Sequence, residues 1–320
     1  TFRSEPFTDV SPKFILRSNL SLGGLTGPGS RWRNDLRVSD TAGLRTEYDQ
    51  PVVPPLSLVS TLFLEAEPIR FYDERRVQSS YVRRSYGSGL GIRTVLFDAL
   101  EFTALGVAEW VGPSLQEGVD LELERGETLL GVSFLGIMDN YDRYPFPRRG
   151  TESRISYNYR YSPDRAEPFK RAELSQKYYI PLFRNLVGSL GFRLETDFDS
   201  ASPVIERSFL GGFGSFSGLH DQELVGRHLA ALSGELRLPL VPLPLGAGDR
   251  VYLSFRGDVG NVWSEELIEL PQSAQLIGGG SLGLSADTVF GQLHLHFALA
   301  LGEGVHSDRP GPHVRCGSVL

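Results

Sequence analysis

The chain has 320 residues, with 32 Lys and Arg against 39 Asp and Glu, one cysteine and one methionine. The net charge of −7 excludes a nucleic-acid binder that relies on a broad basic surface. Cys316 alone can form neither an internal disulfide nor a thiolate metal centre. No stretch reaches the roughly 18 consecutive apolar residues that a membrane helix needs. The only methionine is Met138, so we expect the chain to be a piece of a longer protein.

Strand-type alternation runs through the whole chain. Apolar residues recur at every second position, and the segments between them are rich in Gly, Pro, Asp and Ser, which is typical of strands and turns. Several segments exceed the usual five or six residues of soluble strands and approach the ~9–11 that cross a bilayer at a tilt. We predict strands at 14–22, 31–39, 43–52, 58–69, 77–84, 89–97, 102–110, 128–138, 151–161, 170–181, 186–196, 228–241, 250–262, 279–289, 292–302 and 313–320.

The predicted strand 151–161 shows the alternation most clearly. Ile155 and Tyr157 fall on one face, and Arg154 and Arg160 fall on the other. A soluble sandwich would show the same pattern, with one face toward its core and one toward water. Arg and Glu occur together on the polar faces, which is typical of a water-filled lumen, and a closed bacterial barrel requires an even strand number. We therefore predict an all-β fold, a closed transmembrane antiparallel β-barrel of about 16 strands.

Aromatic residues cluster near the ends of the predicted strands. The interface girdles of a membrane barrel have this appearance, although tyrosine and phenylalanine are common in strands generally. The residues that we expect in the girdles are Tyr72, Tyr141, Tyr144, Phe146, Tyr178, Tyr179 and Trp263.

A long glycine-rich segment separates the predicted strands 186–196 and 228–241. It reads LGGFGSFSGL, and the next two strands contain SGELR and FRGDVGNVW. This ordered set resembles the C-terminal barrel of the BamA and two-partner-translocator superfamily, also called the bacterial surface antigen family. The segment 139–151, with its Asp, Pro and Arg-Gly, is similar to a turn of the same family. The resemblance implies sixteen strands and a long loop folded into the lumen. Its motif residues would be Gly211, Gly212, Phe213, Ser217 and Gly218.

Within that superfamily, the chain is most similar to the barrel of patatin-type phospholipase autotransporters (type Vd secretion). The similar segments are 12–17, 32–36, 46–51, 217–218 and 286–291. The resemblance implies an integral barrel of the bacterial outer membrane that anchors or helps export an N-terminal passenger, a patatin-like phospholipase with its catalytic residues upstream of this chain. Residues 1–12 would be the remnant of a periplasmic linker or domain, and 13–320 the barrel. The implied partners are outer-membrane lipid, the passenger in cis and the barrel-insertion machinery, with a homodimer left open.

Two features depart from the family pattern. Ser217 stands where assembly factors usually carry an arginine that pairs with lumen acids. Glu235 and Asp258 would then face the lumen without that cation, and an unpaired acid in a confined lumen is costly. We expect both acids to lie inward, within salt-bridge or water-bridged reach of Arg227, Arg237 or Arg256. The chain also ends in Gly-Ser-Val-Leu instead of the family's aromatic residue, so either the terminus is unusual or residues follow it.

No catalytic residue, cofactor or metal site is expected in this chain. The segment 279–283 matches the hydrolase pattern G-x-S-x-G, but the following residues keep alternating as a strand and form no nucleophile elbow. His294 and His296 share one strand face without an evident third ligand. Two pairs of loop aspartates lack the spacing of a calcium cage; these pairs are Asp139 with Asp142 and Asp197 with Asp199. The glycine-rich segment 87–91 is interpreted as a bend at a barrel rim.

Three other functions remain open. The first is an assembly or translocation barrel that acts on other polypeptides, which periplasmic modules upstream would indicate. The second is a soluble secreted β-sandwich or glycan-binding protein, whose long apolar faces would meet each other instead of lipid. The third is a passive porin, which a plugging loop disfavours.

Overall fold

The computed structural model describes residues 16–38, 42–73, 75–97, 99–123, 125–163, 167–200, 202–244, 246–266, 276–289, 291–302, 305–306 and 311–317. The predicted linker remnant at 1–12 and the end of the last predicted strand lie outside these residues. Within them the chain is β-structure throughout, apart from connecting loops and one 3₁₀ turn at Val204–Glu206. None of the helical structure described is long and apolar enough to cross a membrane.

The strands are numbered in chain order. The first ten are β1 (Leu16–Gly23), β2 (Arg31–Val38), β3 (Ala42–Val53), β4 (Leu56–Asp73), β5 (Arg76–Leu96), β6 (Leu100–Gly118), β7 (Glu127–Asp139), β8 (Gly150–Tyr161), β9 (Phe169–Pro181) and β10 (Val187–Thr196). The others are β11 (Ser208–Leu210), β12 (Leu224–Gly226), β13 (His228–Pro242), β14 (Gly248–Trp263), β15 (Ile277–Thr288), β16 (Gly291–Gly302), β17 (Val305–His306) and β18 (Gly311–Gly317).

One sixteen-stranded antiparallel sheet contains all strands except β11 and β12, which pair with each other. Neighbours in sequence are neighbours in the sheet, and β10 pairs directly with β13 across the loop that contains the small hairpin. β17 and β18 both pair with β16, on consecutive stretches of the same edge. No ladder among the described residues joins β1 to β18. The prediction of an all-β antiparallel fold of about 16 strands is confirmed.

The two faces of the sheet have opposite chemistry. In β16, Leu295 is 41% exposed and Phe297 is 55% exposed, whereas His296 between them is buried. In β8, Ile155 is exposed and Arg160 is buried. The apolar residues therefore form an outer band that no other part of the described chain covers, and the charged residues face inward. A soluble sandwich would instead bury its apolar faces against each other.

The predicted strands 77–84 and 89–97 are one continuous strand, so the rim bend expected at 87–91 is wrong. β5 runs from Arg76 to Leu96 and pairs with β6 along nearly its whole length. Its three glycines at 87, 89 and 91 lie on the inner face, while Leu90 between them is 67% exposed. A Cβ on Gly91 would lie 1.8 Å from the carbonyl oxygen of Ala104. The glycines thus permit close approach between strands instead of breaking one.

The sheet curls around the long loop. One buried cluster joins strands β4 to β9 to the 3₁₀ turn; it contains Ile69, Phe71, Tyr81, Val111, Leu129, Phe169 and Ile205. A second joins the loop to β13, β15 and β16; it contains Leu210, Phe216, Leu219, Leu229, Ile277 and Ala300. Because one loop packs on both clusters, the strands on either side must enclose it.

The connections at the two ends of the sheet differ in length. The long-loop end carries connections 39–41, 74–75, 119–126, 162–168, 197–227 and 264–276. The short-turn end carries connections 24–30, 54–55, 97–99, 140–149, 182–186, 243–247 and 289–290. The folded loop enters the lumen from the long-loop end, and the 140–149 turn approaches it from the other.

Candidate functional site

The loop 197–227 reaches its deepest point at Ser217 and Gly218. β11 and β12 form its stem, and four glycines with positive φ shape its apex: Gly211 (133°), Gly212 (93°), Gly214 (86°) and Gly218 (83°). A Cβ on Gly218 would lie 2.0 Å from the carbonyl carbon of Leu299 in β16. Only glycine therefore allows the loop to lie directly on this wall.

The loop apex is held by polar contacts with β14 and β15. The backbone N–H of Ser217 donates to Asp258 Oδ2 at 2.9 Å, and its hydroxyl lies 3.2 Å from that of Ser281. Arg256 pairs with Asp258 at 2.8 Å and also donates to the carbonyls of Gly214 and Ser215, both at 2.9 Å. In the family that the sequence resembles, an arginine of the loop pairs with acids of the wall. Here Arg256 of the wall instead donates to the backbone of the loop.

Residues 25–310 match the Omp85 superfamily domain. The chain belongs to the Omp85 superfamily. A search of curated protein sequences finds no match. Among solved structures, this Omp85 chain is similar to BamA from Haemophilus ducreyi lacking POTRA domains 1-3, with a TM-score of 0.69 and 14% identity over 94% of this chain and 66% of that one.

Two further solved structures have the same fold. CdiB from Escherichia coli gives a TM-score of 0.62 and 17% identity, covering 93% of this chain and 57% of that one. CdiB from Acinetobacter baumannii gives 0.62 and 15%, covering 92% and 55%. The Omp85 chain thus spans between about half and two thirds of these structures. Neither they nor the family match supports the narrower resemblance to patatin-type autotransporters, which stays a prediction.

The predicted partners of the loop fall into two groups. Asp258 and Arg256 meet the loop directly, as described above. Glu235 and Arg237 face the same lumen but contact other groups. Glu235 lies 3.9 Å from Lys177, and Arg237 donates to the Pro147 carbonyl. Cross-strand register nevertheless places Glu235 opposite Arg256.

Arg227 does not serve as expected. Its Nε lies 3.0 Å from Asp197 Oδ2, and its Nη2 donates to the Ser200 carbonyl at 2.9 Å. It therefore ties the loop base to the end of β10 at the long-loop end, away from Asp258. Arg227 follows β12 at the base of the loop, whereas Asp258 lies within β14. The closeness of Arg227 to the loop motif in sequence therefore did not indicate contact with Glu235 or Asp258.

Three acid–base neighbours of Arg227 also form the best candidate metal ligands among the described residues. One ligand atom from each of Asp197, Asp199 and His228 lies within 4.8 Å of the others. His228 is fully buried and its Nε2 lies 3.1 Å from Asp199. The Arg227 guanidinium already neutralises Asp197, so the group is most simply an ion-pair network that fixes the loop base.

The pattern G-x-S-x-G at 279–283 has a structural use in this barrel. Ser281 points inward from the middle of β15 and touches the loop through Ser217. A Cβ on Gly279 would lie 2.4 Å from the Ser217 carbonyl oxygen. The glycine and serine therefore make room for the loop apex and bind it.

Several loop contacts were missed from the sequence. At the long-loop end, the β4–β5 hairpin supplies Arg75, whose Nε lies 3.1 Å from Glu223 in the loop. Arg83 in β5 lies 2.5 Å from Glu206 in the 3₁₀ turn. The partners are 148 and 123 residues apart in sequence. No local pattern marks such pairs, since Arg83 looks like any polar inward position of a strand and the other three residues look like ordinary polar residues of turns and loops.

The 140–149 turn closes the lumen from the short-turn end. Phe146 is buried against Tyr252, with ring centroids 4.6 Å apart, and lies 5.2 Å from the Arg237 guanidinium. The girdle prediction is therefore wrong for Phe146, and also for the buried residues Tyr179 and Trp263. An aromatic side chain in the lumen cannot be distinguished from a lipid-facing one by its residue type alone.

Aspartate and asparagine side chains shape this turn. Asp142 Oδ1 accepts the backbone N–H groups of Arg148 and Arg149 at 2.9 and 3.2 Å. Burial raises the pKa of the Asp142 carboxyl, but these N–H groups outweigh burial and hold the pKa below its usual range. Asn140 accepts from Thr151 at 2.7 Å across the neck of the turn. The segment 139–151, which resembled a family turn, is thus a turn that folds into the lumen and is held by these hydrogen bonds.

Between the two inserted segments lies a cavity of about 220 Å³. Phe213 of the loop lies above it, with its ring 5.1 Å from those of His294 and His296. Lys177, Glu235, Arg237 and Arg256 contribute charges to its walls. The lumen is therefore hydrated and charged, but interrupted by chain segments from both ends.

Proposed function

We propose that this Omp85 chain is an outer-membrane barrel that passes or inserts polypeptide, with the folded loop as its internal plug. The outward apolar band gives the barrel a surface suited to lipid, where every backbone group must be paired within the sheet. Longer loops in outer-membrane barrels face the cell exterior. The long-loop end is accordingly placed outside, and the short-turn end toward the periplasm.

The observation that carries the proposal is the bonding of the loop apex. Ser217, Gly214 and Ser215 are held through their backbone atoms, by Asp258 and Arg256. Backbone N–H and carbonyl groups are present in every polypeptide, whatever its sequence. A wall that binds a segment in this way is suited to bind other extended polypeptide in its place, which a porin or an enzyme site does not require.

The charged wall favours the same function. Arg93 in β5 contacts Glu47 at 2.8 Å, Asp49 at 3.0 Å and Glu101 at 3.0 Å. Arg160 and Glu109 pair at 2.7 Å across β6 and β8. In this part of the wall the paired charges produce no strong field of one sign, so an extended polypeptide would meet no large electrostatic barrier along it.

The narrower proposal is that the polypeptide is an N-terminal passenger of the same protein, a patatin-like phospholipase. The alternative within the proposed function is that other proteins are assembled or translocated. The test uses cells that express the complete protein. One measurement is cleavage of the protein by protease added outside intact cells. The other is the level of other outer-membrane and secreted proteins after depletion of this protein.

The two outcomes are distinct. A cis passenger is cleaved from intact cells while other proteins keep their levels. A barrel that acts on other proteins has no passenger exposed on the cell surface for the protease to cleave, and its depletion lowers the levels of those other proteins. The whole proposal fails if the protein is extracted without detergent and its band on a gel does not shift between unheated and heated samples.

A further inference from the structure

A second, smaller cavity lies at the short-turn end. It has a volume of about 60 Å³ and is lined by the 140–149 turn, the 182–186 turn, the last part of β13 and the first part of β14. Four arginines line it, and none of its lining residues is acidic. These arginines are Arg143, Arg148, Arg237 and Arg250.

The positive charge of this arginine pocket is poorly compensated. Arg237 is only 7% exposed, and its contacts are the Pro147 carbonyl and the rings of Phe146 and Tyr252, at 5.2 and 5.7 Å. No carboxylate lies within salt-bridge distance of Arg237 among the described residues, although the charge of Glu235, two residues away on β13, partly offsets that of Arg237. A buried charge in this state is costly unless a counter-charge joins it.

Arg143 donates to the Phe146 carbonyl at 2.8 Å and to the Tyr252 hydroxyl at 2.7 Å, but Arg250 leaves a donor available in the same pocket. Arg250 Nε is buried without a hydrogen-bond partner in the described part of the chain. Among the described residues Asp249 is the one carboxylate within 4 Å of Arg250, at 3.7 Å, and it also lies 3.6 Å from Arg143. Both distances exceed hydrogen-bond length, so Asp249 offsets part of the charge without occupying the donors.

Size and donor number together indicate the ligand. One water needs roughly 10–15 Å³ of cavity, so about 60 Å³ has room for some four to six heavy atoms. Planar guanidinium groups bind oxyanions through paired N–H bonds. Three chain segments approach from different directions, which suits a tetrahedral oxyanion better than a flat carboxylate. We propose that the arginine pocket is a binding site for a phosphate group, either of a phospholipid headgroup or of a soluble phosphate.

The experiment measures thermal unfolding of the full chain, refolded in a zwitterionic detergent without phosphate, against added inorganic phosphate. Chloride at matched ionic strength is the reference. A ligand of the folded state raises the melting temperature in a saturable manner. The expected result is a saturable rise with phosphate and not with chloride, and an apparent Kd at least tenfold weaker in Arg250→Gln, because that variant loses a charge-assisted bond to the phosphate.

Matched variants make the result specific. Arg237→Gln is expected to weaken phosphate binding at least as much, and Arg250→Gln keeps the test valid where Arg237→Gln does not refold. Arg45→Gln removes another inward arginine, one that is already paired with Glu65 at 2.9 Å, and should bind phosphate like the parent chain. Equal affinity in all variants, or no saturable shift, overturns the proposal.

A parallel titration with a short-chain phosphatidylglycerol distinguishes the two sources. Tenfold tighter binding than inorganic phosphate identifies a lipid headgroup, and equal binding identifies a soluble phosphate. Acetate that binds more tightly than either would overturn the phosphate assignment in favour of a carboxylate. The site does not include the plug loop, so these outcomes are independent of the function proposed above.

Discussion

The wall formed by β1–β3 and the wall on which the loop packs consist of the same alternating strands but are stabilised differently. On the inner face of β2 and β3, Arg33 pairs with Glu47 at 2.6 Å and Arg45 with Glu65 at 2.9 Å, and these side chains stay partly exposed to the lumen. On β13, β15 and β16, loop residues such as Phe216 and Leu219 are almost completely buried. Neither buried cluster includes a residue of β1–β3.

This difference shows that the loop is part of the core as well as a plug. Burial of a large apolar side chain contributes about 1.5–3 kcal/mol, whereas a partly exposed ion pair contributes about 0–1 kcal/mol. The loop-packed wall should therefore open last and the β1–β3 wall first. Substitutions in each wall test this difference.

The largest effect is expected from Gly218→Ala. Both Gly218 and Gly214 have positive φ, but a Cβ on Gly214 meets nothing within 4 Å. Gly214→Ala should therefore cost only the ~1–2 kcal/mol of the left-handed conformation. Gly218→Ala must also move the apex off Leu299, and should lower the free energy of unfolding by about 4–5 kcal/mol and raise conductance in planar bilayers. Equal effects of the two variants would contradict the close packing of the loop.

A smaller but still large effect is expected from Phe216→Ala. The ring is 1% exposed, so its removal leaves a cavity and should lower the free energy of unfolding by about 3–5 kcal/mol. Phe213→Ala is the matched control, because that ring is only half-buried beside the lumen cavity. Chemical unfolding in detergent measures both. Similar losses would mean that the loop is not a core element.

Charge removal should show the same contrast on a smaller scale. Asp258→Asn leaves Arg256 without a carboxylate, although loop carbonyls still bind it, so a loss of about 2–3 kcal/mol is expected. Glu47→Gln leaves Arg93 with Asp49 and Glu101. It also removes the carboxylate from Arg33, but that arginine is partly exposed to water, so the total loss should be about 1 kcal/mol. External protease should cut the loop faster only in Asp258→Asn. Faster cutting in both would remove the distinction between the walls.

The smallest effect is expected from Arg45→Gln. The arginine side chain is 47% exposed, and such pairs contribute about 0–1 kcal/mol. The difference from the parent chain should shrink further in high salt, because salt screens exposed charges. A loss above about 2 kcal/mol in unfolding experiments would show that β1–β3 depends on its ion pairs more than the structure indicates.

Much of the fold was predictable from periodicity. The alternation of Ile155 and Arg160 assigned the two faces of β8, because the side-chain period of a strand is two and a curved sheet has only two faces. The same reasoning failed at 87–91, since glycine marks both turns and close packing. The face on which a residue lies was therefore easier to predict than the bounds of a strand.

The candidate site was predictable only where it is local. The glycine-rich sequence indicated the loop, and Asp258 was identified from its place on the next strands. The pairing of Arg75 with Glu223 and of Arg227 with Asp197 depends on how far the loop descends into the lumen. That depth is set by packing of the loop on β16. β16 is distant from the loop in sequence, so no local sequence pattern indicates this packing.

The inward glycine stripe of β5 affects how the sheet coils. With no side chains at 87, 89 and 91, this part of the wall has little bulk to resist coiling, and neighbouring strands approach it closely. We therefore expect the sheet to curve most tightly along β5, so that the width of the lumen depends on these three positions.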